Sequence, residues 1–256
     1  MLAGVIHSAD PARHVYLEPH FDDVALSCGG TVARQTTAGE RVLVVTIFSG
    51  GPSRDVALTS FAAGQHDRWG DTVDPNETRR AEQRRALTIL GADWLPLEFP
   101  DAIYRGDQYL SDEDLFGDPK PSDRALGDRL RNVLAGLMAT VPEARLYAPL
   151  TIGHHVDHVL ALDAAREFDP RLYEDFPYAR RSEAVSEAVA RVGAELAEEI
   201  DITETFDRRI AAIAAYRSQI PTLFGDADAM ARETRRFATG RPGRAVERFW
   251  RPSRRR

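Results

Sequence analysis

The sequence predicts an α/β fold with a Rossmann-like, mostly parallel sheet and helices on both faces. Short apolar runs alternate with helical segments over residues 15–180, and the run at 41–48 (RVLVVTIF) is β-branched without polar alternation. Strands that alternate with helices form parallel sheets, and a strand covered on both faces reads as a continuous apolar run. Ligands in such folds bind beyond the carboxyl ends of the strands.

The elements can be placed in order from periodicity and from helix-ending glycines. Gly39 and Gly91 each follow a helical pattern, as glycine commonly does at a helix end. We expect strands at 15–17, 41–48, 94–99, 145–150 and from 172, and helices at 24–37, 78–90, 124–139 and 156–168.

Two long stretches, 49–76 and 101–123, show no sustained periodicity. Long loops in a compact domain usually serve binding, so we expect both to rim a pocket, where Trp69 and Arg105 would suit a sugar conjugate. From about 182 the composition is mostly helical, and the arginine-rich stretch 232–256 is expected to be a flexible, solvated tail. We predict a single α/β domain over 1–256.

The composition excludes several classes of protein. A formal charge of −7 and a pI of about 5.6 argue against nucleic acid or an anionic membrane as partner. The single cysteine, Cys28, fits a reducing compartment, and residues 1–13 lack the pattern of a secretory signal. No apolar stretch approaches the roughly 20 residues of a membrane span. The expected location is the cytoplasm. The sequence is compatible with a monomer and with a homo-oligomer.

Two clusters of metal-ligating side chains each follow a predicted strand. The first lies at 18–23 (EPHFDD), ahead of the pair Gly29-Gly30, and the second lies at 154–158 (HHVDH). Because carboxyl ends of parallel strands meet at one edge of the sheet, we expect the two clusters to form one site.

His20, Asp23 and His158 fit a catalytic zinc site. Such a zinc takes three protein ligands and keeps a fourth position open. His20 and Asp23 are three residues apart in a turn that enters a helix, so both can point to one side. We expect one zinc per chain, and Fe²⁺ or Co²⁺ could replace it because they accept similar ligands.

The neighbouring side chains suit acid–base chemistry. A carboxylate beside a metal-bound water can take its proton, since the metal lowers the pKa of water from about 15.7 towards about 7, and Asp22 is assigned this role. His155 could stabilise an oxyanion or protonate a leaving amine. Asp157 could hold one of the two nearby histidines in the required tautomer.

Structural interpretations compete with these assignments. Two aspartates before a helix are commonly cap and dipole partners, each contributing about 0.3–1 kcal/mol. However, three of the seven histidines fall within 154–158 and a fourth sits beside the aspartate pair, which favours a metal site. Gly29-Gly30 lies inside a predicted helix and does not match G-x-G-x-x-G, so it favours close helix packing over nucleotide binding.

The same residues resemble the signatures of the PIG-L/LmbE-like N-deacetylase family. That family carries His-Pro-Asp-Asp ahead of Gly-Gly, matched at 20–23 and 29–30, and His-Pro-Asp-His, matched at 155–158. Phe21 and Val156 replace the two prolines, which changes turn stiffness but removes no functional group. The resemblance spans most of 15–180.

The resemblance implies an LmbE-like fold and a zinc-dependent hydrolase that removes the acetyl group from an N-acetylglucosamine-type conjugate. The expected partner is therefore a small-molecule substrate. The resemblance implies His20, Asp23 and His158 as metal ligands, Asp22 as general base, and His155 as the partner of the oxyanion or leaving group. It also places Arg79 and Asp101 near substrate-contacting positions, although an exposed helix arginine is an equal alternative for Arg79.

Two other functions stay open: a metal-dependent hydrolase of another amide or of a phosphate ester, and a non-catalytic α/β metal-binding protein. Phosphoester chemistry often uses two ions about 3.5–4 Å apart and more bridging carboxylates than this sequence offers. A structural zinc is closed by four protein ligands. Three ligands with acid–base groups beside them favour catalysis, but the sequence does not fix the exact substrate.

Overall fold

A computed structural model describes residues 11–53, 55, 57–70, 74–239 and 243–253. The described residues form one sheet of seven strands, in the order β3-β2-β1-β4-β5-β7-β6. The strands are β1 (His14–Glu18), β2 (Val42–Thr46), β3 (Asp93–Pro96), β4 (Arg145–Pro149), β5 (Arg171–Tyr173), β6 (Ala194–Asp201) and β7 (Val246–Pro252). The helices are α1 (Asp23–Thr37), α2 (Ser60–Arg68), α3 (Pro75–Leu90), α4 (Asp112–Leu115), α5 (Arg124–Thr140), α6 (Val156–Ala165), α7 (Ser182–Val192), α8 (Phe206–Ile213), α9 (Ile220–Phe224) and α10 (Ala227–Ala238).

The sheet topology creates a crevice between β1 and β4. Strands β1 to β5 run parallel, and β7 lies antiparallel to both β5 and β6. From β1 the chain builds outward to β2 and β3, then returns to place β4 on the other side of β1. The strand order therefore reverses between β1 and β4, which is where open α/β sheets bind ligands.

Helices cover both faces of the sheet. On one face, Leu130 and Leu134 of α5 and Ala161 of α6 pack with Val15 and Leu17 of β1. On the other, α1, α3 and α8 pack against the intervening strand residues Tyr16, Val42 and Val44. Both faces of β2 are buried, which its unbroken apolar run predicts. The predicted α/β class with a mostly parallel sheet is confirmed.

The structure adds a helix to the first irregular stretch and two strands to the C-terminal part, which also contains helices α7 to α10. Helix α2 lies inside the stretch 49–76, for which no helix was expected. Strands β6 and β7 lie in the part predicted to be mostly helical and pair with each other over Ala194–Asp201. The β6 sequence AELAEEID is rich in good helix formers, so its strand conformation comes from pairing with β7 rather than from local propensity.

The arginine-rich stretch 232–256 also differs from the expected flexible tail. Residues 232–238 belong to α10, and 246–252 form β7 between β5 and β6. Residues 240–242 and 254–256 lie outside the described part of the chain. Within the described ranges, no helix is both long and apolar enough to cross a membrane.

Candidate metal and catalytic centre

The turn between β1 and α1 presents the first cluster. Asp22 is the N-cap residue of α1, with φ of 98° and no hydrogen bond from its side chain to the helix. The backbone N–H of His20 donates to Asp23 Oδ2 at 2.8 Å, and this bond stabilises the turn. The side chains of His20, Asp22 and Asp23 all line one cavity.

The turn between β4 and α6 presents the second cluster. His155 is the N-cap residue of α6, and its Nδ1 accepts the N–H of Asp157 at 3.2 Å. This bond leaves Nε2 of His155 for other partners. Asp157 and His158 follow in the first turn of α6. His155 and His158 line the cavity, whereas Asp157 is fully buried behind it.

The two clusters meet at the crevice, as the strand order requires. The ring of His20 lies 4.9 Å from that of His155 and 5.5 Å from that of His158, centroid to centroid. Asp23 Oδ2 lies 3.7 Å from His20 Nδ1 and 3.5 Å from His158 Nε2. Two donors bound at 2.0–2.2 Å to a tetrahedral metal lie roughly 3.4 Å apart, so Asp23 Oδ2 lies at a suitable distance from each histidine for sharing an ion with it.

Within the described residues, two groups have donor atoms that all lie within 4.8 Å of one another, and Asp23 is in neither: His20 with His155 and His158, and His20 with Asp101 and Asp157. The second group is the poorer ligand set because Asp157 already pairs with Arg105 and accepts the N–H of Ala102 at 3.1 Å. The first group shows that His155 lies near enough to share an ion with His20 and His158.

Two carboxylates behind the cavity orient the candidate ligands. Asp175 Oδ1 lies 2.6 Å from His158 Nδ1, which leaves Nε2 of His158 directed at Asp23. Asp157 Oδ2 lies 2.9 Å from His20 Nε2. The expectation that Asp157 orients the ring of His155 or His158 is therefore wrong: its carboxylate contacts His20, and Asp175 orients His158.

The electrostatics of the cavity favour a bound cation. Burial disfavours a charged His20, but Asp101, Asp157 and Asp23 outweigh burial and raise its pKa to about 9. Burial likewise opposes a charged His158, yet Asp23 and Asp175 raise its pKa above the usual value. Carboxylates that favour the protonated form of two imidazoles mark a site in which a cation would relieve the negative charge.

Asp22 and Arg79 face each other across the same cavity. Burial raises the pKa of Asp22 to about 7, with Asp23 adding to the rise and Arg79 opposing it. Arg79 Nη2 lies 3.9 Å from Asp22 Oδ2 and donates to the carbonyl of Phe21 at 3.1 Å. Its guanidinium carbon lies 4.5 Å from the centre of the Trp69 ring. At 7% exposure, Arg79 is not the exposed helix arginine of the alternative interpretation.

The cavity has a volume of about 340 Å³ and a wall that the sequence did not indicate. Asp101 and Trp69 line it as expected, but Arg105 does not, because Arg105 is buried and paired with Asp123 and Asp157. Further wall residues come from α2, from the end of α4 and from the C-terminal part: Gln65, Arg68, Phe116, Tyr178, Gln219 and Leu223. Gln65 and Arg68 lie in a helix that was not predicted, and the part with Gln219 and Leu223 was predicted only as mostly helical from its composition.

Comparisons with known proteins identify relatives of this chain. A 2'-N-acetylparomamine deacetylase from Streptomyces fradiae is 30% identical over 236 residues, covering 88% of this chain and 78% of that protein. One from Niallia circulans is 29% identical over 240 residues, covering 85% and 84%. The crystal structure of a zinc-inhibited form of the teicoplanin deacetylase Orf2 superposes with a TM-score of 0.79 at 25% identity, covering 95% of this chain and 100% of that one.

Residues 15–168 match the family described as PIG-L, GlcNAc-PI de-N-acetylase, and this range contains His20, Asp22, Asp23, His155 and His158. These relatives hydrolyse amide bonds, and the chain is an enzyme of the same class, an amidohydrolase. The match covers more than half of the 256 residues, so the chain belongs to the PIG-L family of de-N-acetylases.

Proposed function

We propose that this enzyme removes the N-acetyl group from an N-acetylglucosamine-type sugar carried on a larger conjugate, with one zinc held by His20, Asp23 and His158. One observation carries the proposal: Asp23 Oδ2 lies 3.7 Å and 3.5 Å from nitrogens of the two histidines, while Asp22 beside it stays free on the cavity. Three ligands with a free carboxylate beside them are the arrangement of a catalytic zinc rather than a structural one.

The relatives support an amino sugar as the acetylated part. Two of them are named for 2'-N-acetylparomamine and one for teicoplanin, so relatives of this chain act on amine-bearing sugars within larger molecules. A cavity of about 340 Å³ lies at the low end of ligand pockets, which suits one sugar ring with the rest of the conjugate outside. Trp69 offers an aromatic wall for that ring.

Asp22 takes the proton of the attacking water in this proposal. Zinc in such a site supplies Lewis acidity, which polarises the amide carbonyl and makes water more acidic. The carboxylate of Asp22 is buried, lines the cavity and has no role in capping α1, so it is free to accept a proton. The nearby guanidinium of Arg79 stabilises its ionised form.

His155 serves the oxyanion and the leaving amine. Burial, reinforced by His20, lowers the pKa of His155 well below its usual value, so its ring is neutral at the outset. Its Nδ1 accepts the backbone N–H of Asp157, which places the ring proton on Nε2, as a donor to developing negative charge needs. Asp157 holds the ring of His20, and we assign sugar contacts to Arg79 and Asp101 at the cavity wall.

The test is acetate release by purified enzyme from 2'-N-acetylparomamine and from an N-acetylglucosaminyl glycopeptide, measured after metal removal and after addition of one equivalent of zinc. We expect zinc-dependent acetate release from at least one substrate. Asp22→Asn should lower kcat by about 10²–10³ and leave the zinc content unchanged, because the carboxylate acts on the proton and not on the metal.

Asp112→Asn is the matched control, since Asp112 lines the same cavity at its exposed rim. Near-normal kcat in Asp22→Asn would remove the base assignment. Zinc binding without acetate release from either substrate, together with phosphate release from a phosphate ester, would replace the proposed function by the competing hydrolase class.

A further inference from the structure

We propose that Glu18 is a positioning residue that caps α1 in place of Asp22 and so leaves the Asp22 carboxylate free for the reaction. The inference rests on the proposed role of Asp22 as general base. Nothing about residues 18–23 in the sequence distinguishes a capping carboxylate from a catalytic one; the contacts of Glu18 do.

The start of α1 departs from the usual capping pattern. An aspartate at the N-cap position normally accepts the N–H of the second or third helical residue. Among the other α-helices in the described part of the chain, five have an N-cap side chain that accepts such a bond: those of Thr59, Asp74, Ser111, His155 and Asp226. Asp22 does not: its φ is 98° and its side chain forms no such bond. Instead, the N–H of Val24 donates to Glu18 Oε2 at 3.3 Å.

Glu18 is held where it can do this. It is the last residue of β1 and fully buried, and its Oε1 accepts Thr46 Oγ1 at 2.5 Å and also the side-chain amide of Gln83. Gln83 Oε1 in turn accepts the hydroxyl of Tyr216 at 2.5 Å. Strand β2, helix α3 and the C-terminal part therefore all fix one carboxylate, which bridges the two ends of the turn 19–23.

Removing that bridge should redirect Asp22. The uncapped N–H groups and the positive end of the α1 dipole would attract the nearest carboxylate, and an N-cap aspartate is a favoured partner. Asp22 would then turn from the cavity towards the helix. His20 and Asp23 keep their own hydrogen bond at 2.8 Å, so metal binding should suffer less than turnover.

Glu18→Met tests this because methionine fills the space without an acceptor oxygen. With 2'-N-acetylparomamine as substrate and one equivalent of zinc, kcat should fall by about 10–100-fold at nearly constant KM, as expected for a misplaced catalytic group. Glu18→Gln can keep its oxygen for Val24 only if its amide NH2 replaces Oε1 and faces the donors of Thr46 and Gln83, so it should lower kcat, but less than Glu18→Met does. A kcat for folded Glu18→Met within threefold of the wild type would overturn the inference.

A double-mutant cycle with Asp22→Asn separates this inference from the proposed function. If Glu18 acts through Asp22, Glu18→Met should not lower kcat further in the Asp22→Asn background. If kcat of Asp22→Asn is lowered by about 10²–10³ and Glu18→Met lowers it by its full factor again, the role of Glu18 is overturned and Asp22 stays the base. A fully active Asp22→Asn would instead overturn the proposed base.

A readout without metal or substrate completes the test. NMR on the metal-free protein should show faster amide exchange at Val24 in Glu18→Met than in the wild type. The matched control is Glu247→Gln: Glu247 is also buried and accepts the N–H groups of Gly30 and Thr31 in the same helix, at 3.0 Å and 2.7 Å. It should leave the kcat of the folded protein unchanged, although it also removes the charge partner of buried Arg209, 3.1 Å away, and so lowers the stability. If Glu18→Met does not fold, Glu18→Asp, whose shorter side chain cannot span the turn, should lower kcat at constant KM; unchanged kcat would overturn the inference.

Discussion

Alanine at Gly30 tests whether the second glycine of the Gly29-Gly30 pair is fixed by contact with the C-terminal part of the chain. A Cβ atom on Gly30 would lie 2.5 Å from Ile202 Cδ1, 2.9 Å from Ile202 Cβ and 2.9 Å from Glu247 Oε1. A Cβ on Gly29 would lie 3.4 Å from Arg209 Cγ and 3.7 Å from Leu90, which is ordinary contact. Alanine is therefore expected to clash with its surroundings at position 30 and to be accommodated at position 29.

The expected size follows from these contacts. Overpacking a well-filled site costs about 1–3 kcal/mol. The added methyl group also pushes against Glu247, which accepts the N–H groups of Gly30 and Thr31, and weakening one such bond costs about 1 kcal/mol. The sum of about 2–4 kcal/mol corresponds to a decrease in Tm of about 4–16 °C for a chain of this size. Gly29→Ala should be neutral or stabilising by up to about 1 kcal/mol, because alanine favours the helix.

Thermal unfolding of the metal-free proteins, followed by circular dichroism, gives the comparison. Ile202→Val removes the nearest atom, Cδ1, so it should restore part of the stability of Gly30→Ala while costing about 0.5–1.5 kcal/mol on its own. A Gly30→Ala protein as stable as the wild type, or a Gly29→Ala protein destabilised by the same amount, would refute the packing explanation.

Three other outcomes concern the site. Asp175→Asn should lower zinc affinity by about 10–100-fold in chelator competition, since it loosens His158, whereas exposed Asp163→Asn should not. Arg79→Met should lower kcat/KM by about tenfold or more in acetate release, because it breaks the buried charge pair between Arg79 and Asp22, with unchanged zinc content as the control. Chelation should abolish acetate release and one equivalent of zinc should restore it, with bound metal counted by mass spectrometry; activity that persists in metal-free protein would contradict this.

The central part of the fold could be predicted because its signals are local. The run at 41–48 and the helix-ending glycines place β2, α1 and α3 within a few residues of their observed bounds. The meeting of His20 with His158 was also predictable, because both follow neighbouring parallel strands whose carboxyl ends share one edge.

The rest depended on contacts that no local pattern encodes. Strand β6 carries helix-forming residues and becomes a strand only through β7, some fifty positions later. Asp157 has two neighbouring histidines in sequence, yet its carboxylate contacts His20, which precedes it by 137 positions. Asp175 had no assigned role because only the fold places it beside His158. In each case the partner is chosen by the tertiary structure.

Helix α3 contacts both the turn that carries His20 and Asp22 and the segment next to the far wall of the cavity. Arg79 donates to the carbonyl of Phe21 in the turn that carries His20 and Asp22, and Gln83 contacts Glu18 beneath that turn. One position away, Glu82 accepts both the N–H and the hydroxyl of Ser218, at 2.9 Å and 2.6 Å, next to the wall residue Gln219.

The candidate zinc ligands lie within the family-matched range 15–168, whereas Tyr178, Gln219 and Leu223 lie beyond it. The far wall of the cavity is therefore built by residues outside the family-matched range, whereas α3 holds the turn 19–23 within it.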